Sequence, residues 1–398
     1  MTHSYDPEST PPQRRWSGFI RAFRRHGWDV DVVVPMPHPD RCARGAADNG
    51  GLVAWRRAPG RYGESVRRVP LLRHRESRAS KLLSNVAGAL VMVPAGLAGP
   101  RPDLVVVTIP ALPTILAGFL VSRLRRRPLV VEMRDAWPDL AVESGAAPGA
   151  VTGAFHAVLT WFQRRAAVVV TVTDGFGDVL AGRGIQAVSI PNGVRPSSLP
   201  HVPAHEFGPG PLKVLYLGNH GESQGLDRIV RAAALAEGSV QVKFVGEGTE
   251  KQSLRALAER LDAPVEFLEP VPAGAVGACY AWADTCVVSL RPDWPSFKWT
   301  IPSKTYELIA TGRHLTCVVQ GEAESVLRAA GVGDFVDPDP AAIAALWRGL
   351  LDEPERLRVS ADGRGWVARH ADIELIAGLY IRVLEQVVAG KNVVRRQG

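Results

Sequence analysis

The chain is short of cysteine. Four thiols (Cys42, Cys279, Cys286, Cys317) stand in 398 residues, with no CxxC and no His/Cys cluster. A disulfide scaffold and a structural zinc site are therefore excluded, and a reducing, cytoplasmic setting fits. Met1–Asp6 does not read as a signal peptide, because it lacks a basic region followed by an apolar core. The low-hydrophobicity signature of disorder is also missing: 46% of residues are hydrophobic and 22% charged. This length suits two packed α/β domains better than one.

Two stretches lack charge, Leu82–Pro100 and Leu104–Ser122. Either is long enough to span a bilayer. The second holds Pro110 and Pro113 behind Leu104–Val107 and reads as strand, loop and helix. The first carries Asn85 and three glycines, and reads as a helix packed in a core or lying on a membrane. Residues 1–200 hold 26 basic and 15 acidic residues, while the remainder is acidic by four. Such asymmetry points one half at an anionic partner. Arg67, Arg68, Arg73, Arg75, Arg78 and Lys81, just before the apolar stretch, would suit an anionic membrane surface at the inner membrane face. An ordinary solvated basic face is the alternative. No nucleic-acid recognition module is present.

Short β-branched runs alternate with helical segments: strands at Asp29–Val34, Asp103–Thr108, Pro128–Met133, Ala167–Thr173 and Ala187–Ile190, with helices at Arg15–Arg25, Pro113–Arg126 and Val151–Arg165. Residues 41–80 read as a variable connection. Strand–helix alternation predicts a parallel, doubly wound sheet. A second alternation starts at Lys213 and runs through strands at Gln241–Val245, Val265–Leu268, Thr285–Ser289 and Leu315–Val319. The reading is a domain over 1–195, a Pro-rich linker over 196–211, a second domain over 212–370 and a helix and tail over 371–398. The first domain lacks its opening apolar strand, which predicts unpaired ladder groups at the sheet centre and a start upstream of Met1 or a truncated chain.

Three places could carry chemistry. Val214–Asp227 is a strand, a Gly-rich turn (Gly218, Asn219, Gly221, Gln224) and a helix start, and Gly246-Glu247-Gly248 repeats the pattern. Such turns at a sheet's carboxyl edge suit a phosphate-bearing ligand. In Lys298–Glu307, Pro302 and Ser303 read as a helix start with Ser303 as cap. Glu307 would lie one turn inside, where a carboxylate can take ribose hydroxyls while Lys304, Lys298 and Arg291 face a diphosphate. Val131–Asp139 sets Glu132, Arg134, Asp135 and Asp139 at a strand's end, as a site or as an ion-pair network.

At these places the sequence resembles glycosyltransferase family 4, whose members are retaining enzymes of GT-B fold. Ile190-Pro191-Asn192-Gly193-Val194 is similar to the family's Pro-Asn-Gly-Val motif. Pro302-Ser303-Lys304 to Glu307, and Val131–Asp139, resemble a WbuB-like branch that places amino- or acetamido-hexoses in surface polysaccharides. The resemblance implies two Rossmann-like domains facing across a cleft, with the C-terminal helix crossing back to the first. It implies transfer of a hexose or acetamido-hexose from a nucleotide diphosphate sugar, UDP-linked, to a hydroxyl acceptor: a glycan, lipid-linked saccharide or small molecule. The donor is a co-substrate; no cofactor or metal is implied. Glu307 would hold the ribose, Gly218, Asn219 and Gln224 the diphosphate, and Gly246 and Glu247 the nucleoside. Arg134 and Asp135 would face sugar and acceptor, and the loop near Glu8–Pro11 the phosphates. The sequence departs from the wider family at Trp299, Asn219, Gln224 and Arg134, where Glu, Arg, Lys and His are usual. Lys304, Lys298 and then Arg291 would have to meet the leaving charge. A nucleotide-sugar epimerase and a binding protein without turnover are the rival readings.

Overall fold

The computed structural model describes the chain except residues 9, 39–41, 43–51, 71–77, 110–112, 138, 144, 146–148, 201, 204–207, 392 and 394–398; the side chains of 78–85, 113, 141 and 149–152 are also not described. The chain forms two compact units, Met1–Gly193 with Ile373–Gly398, and Val194–Asp372.

The first unit runs α1 (Pro11–Arg25), β1 (Asp31–Pro35), β2 (Arg57–Pro59), β3 (Ser65–Val69), α2 (Arg78–Leu97), β4 (Val105–Ile109), α3 (Pro113–Arg125), β5 (Leu129–Met133), α4 (Asp139–Glu143), α5 (Gly149–Gln163), β6 (Val168–Thr171), α6 (Asp174–Gly182) and β7 (Ala187–Ser189). Its strands form two sheets, β1-β3-β2 and β4-β5-β6-β7. All pairings but β2–β3 are parallel. Among the described residues, Met1 and Thr2 stand between β1 and β4. The Met1 ammonium donates to the Val106 carbonyl at 2.7 Å, Thr2 N–H to Val33 at 3.1 Å, and Thr108 N–H to Met1 at 3.1 Å. Two residues thus bridge the place where the sequence reading lacks a whole strand.

Residues 57–69 correct one expectation: β2 and β3 lie inside the stretch read as connection. Val66 and Val69 are buried on alternating sides of two arginines, a pattern that reads as charged loop. Helix α1 also starts four residues earlier than its apolar pattern, because Thr10 accepts from the Gln13 N–H at 3.3 Å and Pro11 needs no donor partner. Helix α2 is a core helix: Ala89, Met92 and Ala95 pack with Val33, Val69 and Ala117. No helix among the described residues is long and apolar enough to cross a membrane. Arg68 is not on a basic face but buried, donating to the carbonyls of Pro35 and Asp6. Arg73 and Arg75 lie outside the described residues, as do the side chains of Arg78 and Lys81.

The second unit runs β8 (Leu212–Leu217), α7 (Asp227–Leu235), β9 (Val240–Val245), α8 (Lys251–Arg260), β10 (Val265–Leu268), α9 (Val276–Trp282), β11 (Thr285–Ser289), α10 (Thr305–Ile309), β12 (His314–Val318), α11 (Glu322–Ala330), β13 (Gly333–Phe335), α12 (Pro340–Asp352) and α13 (Gly363–His370). One six-stranded sheet has the order β10-β9-β8-β11-β12-β13, parallel throughout. Its core includes fully buried Trp347, whose indole donates to Thr316 Oγ1 at 3.2 Å. The described part of the Pro-rich 196–211 stretch is fastened to this unit. Arg364 donates to the carbonyls of Pro196 and Pro200 at 3.0 and 2.8 Å, and Val194 N–H to Ala371 at 2.9 Å. Helix α14 (Ile373–Val388) then returns to the first unit and packs on α1. Tyr380 meets Phe19 edge-on at 5.2 Å and Phe23 at 5.8 Å.

Within the first unit a fully buried carboxylate, Glu132 of β5, is answered by Arg15 of α1 at 3.4 Å and by the Trp16 indole at 3.0 Å. The same guanidinium donates to the carbonyls of Ile190 and Pro191 (2.8 and 2.6 Å) and to Asn192 Oδ1 (3.2 Å). Removing one partner of a buried pair leaves the other charge desolvated. Glu132→Leu and Arg15→Met are each expected to lower stability by about 3–5 kcal/mol. The double variant should lose much less than their sum, as measured by urea unfolding of all four proteins.

Candidate active site

Three neighbouring strands, β9, β8 and β11, deliver their carboxyl ends to one edge of the second sheet, and their exit loops lock together there. Gly218 N–H donates to Val245 at 3.0 Å, His220 N–H to Glu247 at 2.8 Å, and Glu250 N–H to His220 at 2.8 Å. A Cβ on Gly246 (φ +147°) would stand 1.9 Å from the Gly218 carbonyl oxygen, and one on Gly248 2.3 Å from that of His220. These glycines are needed because two backbones touch. The sequence pattern alone suggests ligand approach at these glycines; the fold adds this backbone contact. In the turn, Gly221 N–H donates to Gln224 Oε1 at 3.1 Å, Asn219 Nδ2 reaches the same oxygen at 3.4 Å, and the Asn219 carbonyl accepts from Tyr216 at 2.9 Å. Asn219 and Gln224, where the wider family has cations, brace each other. Gly225, at φ +58°, closes the turn against the Arg291 backbone.

The β11 exit is tied to this turn. Arg291 N–H donates to Ser223 at 3.0 Å, and Ser289 Oγ to the Gln224 carbonyl at 2.7 Å. The Arg291 guanidinium lies 2.8 Å from Glu222 and 2.5 Å from Asp293, which hold it above its usual range and pull Asp293 below its own. Arg291 is therefore answered by two acids and brings no net positive charge. Glu247 is likewise engaged, 2.7 Å from Lys251, which also binds Glu269 at 2.8 Å. Lys298 is exposed, on a 3-10 turn (Pro295–Trp299). Gly321, at φ +68°, admits the Lys298 carbonyl, which a Cβ would meet at 1.9 Å.

Helix α10 begins at Thr305 rather than at Ser303, so Ser303 does not cap it; Thr305 N–H donates to Pro302 at 3.0 Å. Glu307 falls in its first turn. Its Oε1 accepts from Tyr280 Oη at 2.7 Å and lies 3.6 Å from Lys304 Nζ. Tyr280 is wholly buried, and burial with the Glu307 charge pushes its phenol far above the ordinary range, so it stays a donor. Behind it, buried Arg313 donates to the Tyr280 carbonyl at 2.9 Å and to the Pro203 carbonyl at 3.0 Å. Tyr280 and Arg313 had no signal in the sequence, since a Tyr in Ala278–Trp282 reads as helix packing.

The acids of 131–139, which belong to the first unit, part company. Glu132 serves Arg15, and Asp139 pairs with Arg183 at 3.0 Å and His156 at 3.4 Å. Half-buried Arg134 follows β5; burial lowers its pKa, and its Nε is buried without a hydrogen-bond partner. Asp135 keeps an exposed surface, yet the protein packed around it raises its pKa, with Arg134 opposing. Glu8 is buried, held by Ser4 Oγ at 2.5 Å and the His38 N–H at 2.8 Å, and so does not present its carboxylate as an exposed loop would. Among the described residues no group of three His, Cys, Asp or Glu could hold a metal.

The sequence also hid His220, which is fully buried with both ring nitrogens unpartnered, among Tyr216, Phe244 and Phe267. Burial lowers its pKa to about 4 from 6.5, with Lys251 adding to the shift. Its neutral form is the folded one. The stability this confers is complete above the unfolded value and is lost as pH falls from about 6.5 to about 4, on the order of 3 kcal/mol in all. His220→Leu should therefore flatten the fall in unfolding midpoint between pH 7.5 and 4.5; an unchanged slope would refute the assignment.

Two family models divide the chain: the glycosyl transferase 4-like domain matches residues 12–193, and glycosyl transferases group 1 matches 211–353. Comparison with curated proteins gives no match. Among solved structures, a sucrose-phosphate synthase from Thermosynechococcus elongatus is 18% identical, with 94% of this chain and 92% of that one covered at a TM-score of 0.71. Anabaena HepE in complex with UDP-glucose is 14% identical, with 97% and 100% covered at 0.67. An E. coli trehalose-6-phosphate structure bound with UDP-2-fluoro glucose is 13% identical, with 99% and 100% covered at 0.66. The two successive family matches, which together span most of the chain, make it a member of glycosyltransferase family 4, and the architecture it shares with these structures is the GT-B fold.

Proposed function

We propose that the protein transfers a hexose or acetamido-hexose from a UDP-sugar to an acceptor hydroxyl, with retention of anomeric configuration and without a metal, in a reducing cytoplasmic setting. The observation that carries this reading is the preset carboxylate at the second sheet's edge. Tyr280 and Lys304 both meet Glu307 at Oε1, an arrangement that supports a ribose-binding role for this carboxylate. HepE and the E. coli protein bind UDP-sugars on the same fold, which supports uridine as the base. The acceptor is read from the WbuB-like motifs as a glycan or lipid-linked saccharide of surface-polysaccharide assembly, with a small molecule as the alternative.

In this reaction the acceptor oxygen bonds to the anomeric carbon as the bond to the diphosphate oxygen breaks, and the acceptor proton passes to the leaving phosphate. Charge grows on the diphosphate, so fixed cations and dipoles there contribute most. Lys304 and exposed Lys298 supply them, while Gly218, Gly221 and the Asn219–Gln224 brace shape the turn. Pro302 and Ser303 set the backbone before α10, and Gly246 and Glu247 border the nucleoside. Arg134 and Asp135 act on the sugar and the acceptor. A binding protein without turnover is the second reading, favoured by the neutralised Arg291 and the uncharged Asn219 and Gln224.

Calorimetry tests the reading: UDP should bind, and GDP more weakly. Glu307→Ala should weaken UDP about 10- to 100-fold, as a hydrogen bond to a charged group is worth about 1.5–3 kcal/mol. Tyr280→Phe should weaken it less while the fold stays intact. Equal affinities for wild type and Glu307→Ala would overturn the assignment. Lys304→Ala should lower kcat by about two to three decades. UDP binding with no turnover across several acceptors would select the second reading.

A further inference from the structure

We infer that the outer face of α3 and α5, in the first unit, seats the protein on an anionic bilayer surface. Phe119 of α3 lies 5.2 Å from both Trp161 and Phe162 of α5, and these two meet edge-on at 5.0 Å. This cluster is open to water, with Trp161 43% exposed, and exposed apolar residues flank it on the same two helices: Val158 of α5 at 56% and Leu124 of α3 at 62%. Cations frame it. The Arg123 guanidinium stands 5.1 Å from the Phe119 ring centre and that of Arg165 3.8 Å from the Trp161 ring centre. Arg126 and Arg164, the next residues out, are also exposed.

Neither helix contains an Asp or Glu. Of the described acids nearby in the fold, Asp103 faces Arg127 at 4.0 Å, Asp139 is taken by Arg183 and His156, and Glu143 of α4, the helix beside α5, is half-buried and engaged. The face is thus aromatic and aliphatic at its centre and positive at its rim. Such a surface matches a bilayer whose headgroups are anionic: the rings and aliphatic tips enter the headgroup–acyl boundary, and the guanidinium groups stay at the phosphates. A second copy of the chain would bring arginine against arginine. Nucleic acid would leave Leu124 and Val158 without apolar contact. This is not the patch the sequence pointed to, because the 82–99 helix is spent on the core and Arg68 is buried. Nor does it rest on the transferase reading, since the face shares no residue with the donor site.

The full-length protein would be floated with phosphatidylcholine vesicles, with and without phosphatidylglycerol, at low and high salt. Binding should need the anionic lipid and fall with salt. Trp161→Ser with Leu124→Ser, and separately Arg123→Glu with Arg165→Glu, should each cut binding by at least about tenfold. Their thermal midpoints would show that they remain folded. Arg231→Glu with Arg255→Glu, the same charge change on the second unit, should leave binding near wild type. Wild-type binding by the face variants, equal binding to neutral vesicles, or no binding at all would each overturn the proposal. So would a concentration-dependent dimer that the face variants dissolve, which would assign the face to self-assembly.

Discussion

Parallel strand pairing is the constraint from which the rest follows. A parallel strand cannot be joined to its neighbour by a tight turn, so each connection crosses a face of the sheet as a helix. In the six-stranded sheet every strand therefore leaves at one edge. The exits of β9, β8 and β11 have no choice but to pack on one another. Gly246 and Gly248 are the price of that contact, because any Cβ there would strike the Gly218–His220 backbone. The edge is built as a unit before a ligand is considered, and Glu307 enters it on a helix too short to be stable alone.

The second theme is how buried or crowded charge is answered. Glu132 sits in a strand with no solvent on either side, and Arg15 answers it while holding the chain at residues 190–192. Lys251 gathers Glu247 and Glu269, and Arg291 gathers Glu222 and Asp293. Arg313 donates to two backbone carbonyls, one of them on Tyr280. Glu132, Glu247 and Arg291, which look reactive in the sequence, are thereby set to positioning work. The candidate site is consequently less positive than its lysines and arginines imply. At Glu307, Tyr280 and Lys304 share one carboxylate oxygen, Oε1.

Much of the architecture was legible. Strands such as 213–217 and 241–245 are short, largely apolar runs bounded by glycine, and a buried parallel strand has few other ways to be written. β3 escaped because Arg67 and Arg68 sit at its centre, and Arg68 is buried only through carbonyls supplied from elsewhere in the chain. β13 escaped because Gly333-Asp334-Phe335 has no β-branched residue. At the site, Glu307 was legible from its motif, but its partner was not. Tyr280 and Glu307 are 27 residues apart, and nothing local in Ala278–Trp282 announces a hydrogen bond across that distance. His220 was invisible for the same reason: it is one letter in a polar turn until Phe244 and Phe267 close over it.

Sequence alone determined the two alternating α/β halves, the glycine turns and the motif positions, since periodicity and glycine are local properties of the chain. Tertiary structure alone decided which charges are spent, which glycines serve backbone contact, and which apolar face stays in water. Those depend on residues far apart in the chain meeting in space, and no local pattern encodes a partner.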